Sequence, residues 1–237
     1  MSMTKSSLIK LLQTTKEFVM KIIISLLVSL AVTFGLAEGT KPSINIYLGL
    51  DATGSLDSPS KINPNYSQLE ILKSLMPELY GVFRKWDTES QINLLTICHQ
   101  PFLLLQTSAK RSAMSEVMRG IKNVASDCNQ RGTRIDLTLS AIQQLQYKKE
   151  PYIVILLTDG ISETDSGLNL EEAFASLDSL KENPPLLFAM IGTNEEYVIP
   201  WLSNANKSFA EANTEIIVGS ARDITSTIKR ISEVFDK

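Results

Sequence analysis

Asp51, Thr53 and Ser55 place one carboxylate and two hydroxyls at alternate positions within residues 50–60, LDATGSLDSPS. In a loop curling over a strand end, that spacing turns three oxygens toward one point. A point lined only by oxygen suits a hard cation such as magnesium, manganese or calcium. The same residue types are also ordinary turn formers, so the loop alone leaves both readings open.

The elements that must position this loop are legible on either side of it. Ile44, Ile46, Leu48 and Leu50 alternate with Asn45, Tyr47 and Gly49, the period of a strand, which puts Asp51 at its carboxyl end. From Tyr66, the residues Leu69, Leu72, Leu75, Met76, Leu79, Phe83 and Trp86 recur at helical spacing. Pro77 lies inside that pattern, and an interior proline costing about 3 kcal/mol predicts a kink or a break at Met76. Residues 92–98 and 102–105 read as two strands joined through His99, Gln100 and Pro101, hence an antiparallel hairpin at a sheet edge.

A second helix is expected over residues 109–125, burying Met114, Val117, Met118 and Ile121, and is followed by a loop through Asp127, Asn129 and Gly132. Thr133 reads as the N-cap of a third helix, with Asp136 three residues on. Residues 152–157 form an unbroken apolar run, the mark of a strand buried on both faces, ending in Thr158, Asp159 and Gly160. Residues 168–180 read as helix, 186–191 and 215–218 as strands, and 223–235 as a closing helix. Strands alternating with helices give an α/β fold: a doubly wound, mostly parallel central sheet with one antiparallel edge strand and helices on both faces. Such sheets bind ligands beyond their strand carboxyl ends, where Asp51 and Asp159 both fall.

Three separated pieces, Asp51-Ala52-Thr53-Gly54-Ser55 after a strand, Gly132-Thr133 before a helix, and Thr158-Asp159-Gly160 after a buried strand, together resemble a von Willebrand factor type A domain with a metal-ion-dependent adhesion site. The resemblance spans nearly all of residues 43–237. The family's first loop usually reads Asp-x-Ser-x-Ser; Thr53 replaces the first serine here but keeps the hydroxyl. By position, the resemblance implies that Thr53, Ser55 and Thr133 approach a Mg2+ ion, or Mn2+ or Ca2+, directly. Asp51 and Asp159 would hold it mainly through water and through bonds to the ligating hydroxyls. The implied function is adhesion-type binding of a protein or peptide that presents an Asp or Glu to the cation. Asp57, Glu163 and Asp165 lie nearby in sequence, as solvated loop carboxylates or as groups tuning the site.

At 237 residues the chain holds one domain plus a leader. Residues 22–37 carry no charge, follow Lys21 and end in Gly35-Leu36-Ala37, which reads as a signal peptide cleaved after Ala37. The start is either Met1 or Met20. The expected division is a leader over residues 1–37 and the domain over 38–237, periplasmic or secreted, with the membrane touched only if the leader is retained uncut. Of 23 basic and 26 acidic residues, setting aside Lys5, Lys10, Lys16, Lys21 and Glu17 of the leader leaves 19 and 25, an acidic balance that argues against nucleic acid as a partner. Export leaves Cys98 and Cys128 free to pair or to remain buried thiols; a bond would close a loop of about thirty residues and stabilise the fold by about 3 kcal/mol.

No catalytic machinery is expected. Asp51 lacks the second carboxylate two residues on that a haloacid-dehalogenase-type phosphatase uses, there is no Gly-x-x-x-x-Gly-Lys loop, and no Gly-x-Ser-x-Gly elbow surrounds Ser55. One histidine, His99, and two separated cysteines do not make a zinc site. The alternatives to a binding module are a scaffold of an envelope, pilus or secretion complex with a structural metal, and a metal-dependent hydrolase.

Overall fold

The structure, a computed structural model, describes residues 43–51, 53–60, 63–83, 90–108, 116, 119, 128, 132–146, 150–165 and 167–235. These fall within one compact unit, Pro42–Lys237. The leader, Ala52, Trp86, Asp127, Asn129 and the apolar residues of the helix expected over 109–125 lie outside the described residues, although Glu116 and Arg119 within that helix are helical.

Six strands form the main sheet: β1 (Asn45–Asp51), β2 (Gln91–Ile97), β3 (Leu103–Ser108), β4 (Tyr152–Thr158), β5 (Leu187–Gly192) and β6 (Glu215–Ser220). Their order is β3-β2-β1-β4-β5-β6. Every pairing is parallel except β2 with β3, so the hairpin supplies the antiparallel edge. Among the described residues, the helices with defined bounds are α1 (Gln68–Phe83), α2 (Ile135–Leu145), α3 (Leu170–Ala175), α4 (Glu195–Ser208) and α5 (Ile224–Phe235).

All seven residues of β4 are buried, and their alternation divides them between two cores. Ile153, Ile155 and Leu157 join Ile46, Leu48 and Leu50 beneath α1 and α5, whereas Val154 and Leu156 face Leu139, Ile142, Val198 and Trp201 of α2 and α4. Each such side chain contributes about 1.5–3 kcal/mol when removed from water. That sum explains why α1 runs unbroken through Pro77 instead of stopping at Met76: Leu72, Leu75, Met76, Leu79 and Phe83 are all buried on one face, outweighing one lost backbone bond. Its start is set by a reciprocal cap, with the Glu70 amide donating to Ser67 Oγ (3.1 Å) and the Ser67 amide to Glu70 Oε2 (2.8 Å).

Two further differences from the sequence reading stand out. The stretch expected as helix over 168–180 is α3 followed by a 3-10 turn, Ser176–Leu180, while Leu168 pairs with Glu163 in a two-residue ladder. The whole of α4 was not anticipated; Pro200 and its polar residues obscure a period that Val198, Trp201 and Ala205 nonetheless keep, three and four apart on the buried face.

The chain leaves β1 toward β2 and β3 on one side, then crosses to β4 and continues to β5 and β6 on the other. The loops after β1 and β4 therefore diverge, and a crevice opens at the carboxyl ends of these two adjacent strands.

Candidate metal centre

Asp51 is the last residue of β1 and Asp159 follows the last residue of β4; both are buried, at 0% and 2% exposure. The loop after β1 turns back on Asp51, whose Oδ1 accepts the Thr53 amide (3.0 Å) and the Thr53 hydroxyl (2.8 Å). Its Oδ2 accepts the Thr158 hydroxyl (2.7 Å) from β4. Asp159 Oδ1 accepts the Ile161 amide (3.0 Å), and the carboxylate also takes a hydrogen bond from Ser55.

Thr133 comes in from a third loop. Gly132 holds φ at +107°, a left-handed conformation, and a Cβ there would stand 2.6 Å from Glu163 Oε2. The Thr133 carbonyl accepts the Glu163 amide (2.7 Å), which fastens this loop to the one after β4. Thr133 Oγ1 then lies 2.9 Å from Thr53 Oγ1, with Ser55 Oγ 3.2 Å from the same atom. The structure thus brings together all five residues singled out from the sequence: Asp51, Thr53, Ser55, Thr133 and Asp159.

Thr133 is not the N-cap of α2. The helix starts at Ile135 with Arg134 in the cap position and no side-chain cap bond, and the Ile135 amide donates to Ser162 Oγ (3.2 Å) from the neighbouring loop. Asp136 instead grips the buried Arg134 guanidinium through both oxygens, at 2.9 and 2.7 Å, and Asp165 takes its third bond at 2.7 Å. Asp57, Glu163 and His99 are exposed around the loops.

Burial, with the Asp159 charge next, pushes the Asp51 carboxyl up to about 7, and burial also raises Asp159. Among the described residues no ion pair reaches either group. The hydroxyls cannot resolve this, since Thr53, Ser55 and Thr133 hold three protons for four contacts: Thr53 to Asp51, to Thr133 and to Ser55, and Ser55 to Asp159. A cluster richer in lone pairs than in protons, around a buried acid pair, fits a hard divalent cation held by oxygen. Among the described residues there is no group of three or more His, Cys, Asp or Glu side chains that could hold a metal, so any cation here rests on hydroxyls as much as on carboxylates.

Several supporting roles escaped the sequence reading, among them that of Thr158, named there only as part of the Thr158-Asp159-Gly160 piece. Thr158 and Ser162 orient Asp51 and α2, and Gln68 donates from Nε2 to the Ser55 carbonyl (3.1 Å) while accepting the Thr193 hydroxyl (2.5 Å). Thr158, as the hydroxyl beside Asp159 at a strand end, carried the one signal that could have found it. Cys98 and Cys128 form a disulfide, with Cα atoms 5.8 Å apart, tying the end of β2 to the segment that leads into Thr133.

No family model matches the chain, and no curated protein sequence matches it. Solved structures do. A von Willebrand factor type A protein from Catenulispora acidiphila superposes with a TM-score of 0.55 at 13% identity, over 83% of this chain and 42% of that one. The chain has a von Willebrand factor type A fold. The D319A mutant of the PilB minor pilin from Streptococcus sanguinis superposes with a TM-score of 0.62 at 14% identity, over 84% of this chain and 62% of the pilin. Proximal thread matrix protein 1 from the mussel byssus, described with a zinc-occupied MIDAS motif, gives 0.54 at 17% identity, over 81% of this chain and 46% of that one. The chain spans less than two thirds of each of these three proteins.

Proposed function

We propose that this protein is a binding module that engages a partner protein or peptide through a divalent cation completed by an Asp or Glu of the partner. The observation that carries the reading is the buried Asp51 and Asp159 pair, without a basic partner among the described residues, under three converging hydroxyls at the switch point of the sheet. Thr53, Ser55 and Thr133 would hold the cation through their hydroxyls, and Asp51 and Asp159 would balance its charge from behind. When bound, the ion supplies an electrophilic position for one further oxygen, and a carboxylate binds there more strongly than a neutral group. Ser55 is exposed while the other four are buried, which leaves the approach open on its side. Magnesium is the assigned ion, with manganese and calcium next, and no catalytic role is assigned to these residues.

The place of action is proposed as the cell envelope or exterior, supported by the leader-like residues 22–37, the disulfide and the likeness to a pilin. A scaffold role, with the cation only ordering the loops, is the second reading; it is favoured by the likeness to a pilin and a byssal thread protein.

Thermal unfolding of the protein and of Asp51→Ala, in MgCl2, MnCl2, CaCl2 or ZnCl2 against EDTA, tests the site. A cation bound only by the folded state adds about 2.7 kcal/mol at a hundred times its dissociation constant. The expected result is a rise in the midpoint that Asp51→Ala abolishes, together with cation-dependent binding of an acidic peptide library. No rise in either protein would refute the cation bridge, and cation binding without any acidic ligand would favour the scaffold.

A further inference from the structure

Arg134 stands in the cap position of α2, where the helix dipole disfavours positive charge, and its side chain makes no cap bond. The side chain is nevertheless buried, with 6% exposed. The guanidinium therefore serves something other than the helix that follows it. Asp136 fixes the fork through two bonds, and Asp165, whose side chain is 89% exposed at the turn of the two-residue ladder, accepts Nη1 at 2.7 Å.

Three successive residues are thereby tied to the loop after β4. The Thr133 carbonyl accepts the Glu163 amide (2.7 Å), Arg134 holds Asp165, and the Ile135 amide donates to Ser162 Oγ (3.2 Å). Of these three ties only the middle one joins two side chains, so it can be removed without touching a backbone bond. A pair with one end so exposed adds little to global stability, and its consequence is local. It falls on Thr133, the residue next to Arg134, whose Oγ1 stands 2.9 Å from Thr53 Oγ1.

Ions differ in how far such a hydroxyl can stray. Magnesium demands a near-ideal octahedron at about 2.0–2.1 Å, while calcium accepts irregular shells at about 2.3–2.6 Å. Neighbouring oxygens of an octahedron are then about 3.0 Å apart around magnesium and about 3.4 Å apart around calcium. The 2.9 Å between the Thr133 and Thr53 hydroxyls matches the smaller ion, so a displaced Thr133 weakens magnesium more than calcium.

Given the cation bridge on which this rests, we propose that Arg134 and Asp165 are positioning residues that hold the Thr133 hydroxyl where a magnesium-sized ion needs it, and so set the preference for magnesium over calcium. Neither touches the ion; both act through Thr133.

The test titrates MgCl2 and CaCl2 calorimetrically into the full chain and into Asp165→Ala, Asp165→Asn and Arg134→Lys. Asp165→Ala and Arg134→Lys are expected to weaken magnesium about tenfold and calcium much less, which narrows the ratio between the ions. Asp165→Asn keeps an acceptor for Nη1 and recovers part of the magnesium affinity. Without metal, in EDTA, the Glu163 and Ile135 amides are expected to exchange hydrogen faster in Asp165→Ala and Arg134→Lys, while the unfolding midpoint of Asp165→Ala falls little. An effect of charge alone would weaken both ions alike in Asp165→Ala and Asp165→Asn and leave Arg134→Lys, which keeps its charge, like the parent; that result would overturn the proposal. Should Arg134→Lys fail to fold, the two Asp165 variants carry the test. A parent that binds cations with the same magnesium to calcium ratio as Asp165→Ala would overturn this inference alone, and a parent that binds neither ion would overturn it together with the cation bridge.

Discussion

Thr158 Oγ1 donates to Asp51 Oδ2 at 2.7 Å and accepts the Gly160 amide at 3.1 Å, so one hydroxyl ties the ends of two strands to the buried carboxylate. Thr158→Val keeps the shape and leaves Asp51 short of a donor. It is expected to lower stability by about 1–3 kcal/mol, measured by urea unfolding, and to weaken the response to magnesium. The acid pair also sets a pH dependence. With Asp51 raised to about 7 from its ordinary value of 3.8, the folded state without metal holds a proton that the unfolded chain has released. Stability from this group is present in full below about pH 4 and is lost as pH rises through about 7. In EDTA, urea midpoints are therefore expected to be higher at pH 5 than at pH 8, with the difference reduced in Asp51→Asn. A midpoint rising over the same interval would contradict the unpaired acid pair.

At the scale of elements, α4 decides how the loop after β4 is held. Trp201 on α4 is fully buried, stacks edge-on against Phe174 with ring centroids 4.9 Å apart, and donates from its indole nitrogen to the Gly160 carbonyl at 3.1 Å. Gly160 adopts φ +87°, and a Cβ on it would come within 2.8 Å of the α4 backbone. Trp201→Ala is expected to cost about 3–5 kcal/mol and to loosen the Asp159 loop, read as a lowered melting temperature and weaker cation binding. Trp201→Phe, which keeps most of the packing but not the bond to Gly160, should recover most of the stability and less of the binding.

For the molecule as a whole, the Cys98 to Cys128 bond closes a thirty-residue separation and joins the sheet to the approach to Thr133. Replacing both by serine is expected to lower stability by about 3 kcal/mol in denaturant unfolding. Because the bond leads to the Thr133 loop, cation affinity should fall with it, which a bond acting on the unfolded chain alone would not cause. The strand order, the antiparallel edge and the strand-end positions of Asp51, Thr53, Ser55 and Asp159 could be read from the sequence, because alternation and strand-end polar residues are local signals; Thr133 joined them only through the family resemblance. Residues 132–134, the path of α1 through Pro77 and the existence of α4 could not, because each is settled by partners distant in the chain. Thr133 passes for a cap until Ser162 is seen to serve α2 and Thr53 to engage the threonine hydroxyl. Sequence by itself determined which residues could form a strand, a helix or an oxygen cluster, since those choices rest on side-chain type and spacing. Only the tertiary structure decided which hydroxyl meets which carboxylate, since contacts between distant segments depend on how both cores pack against one sheet.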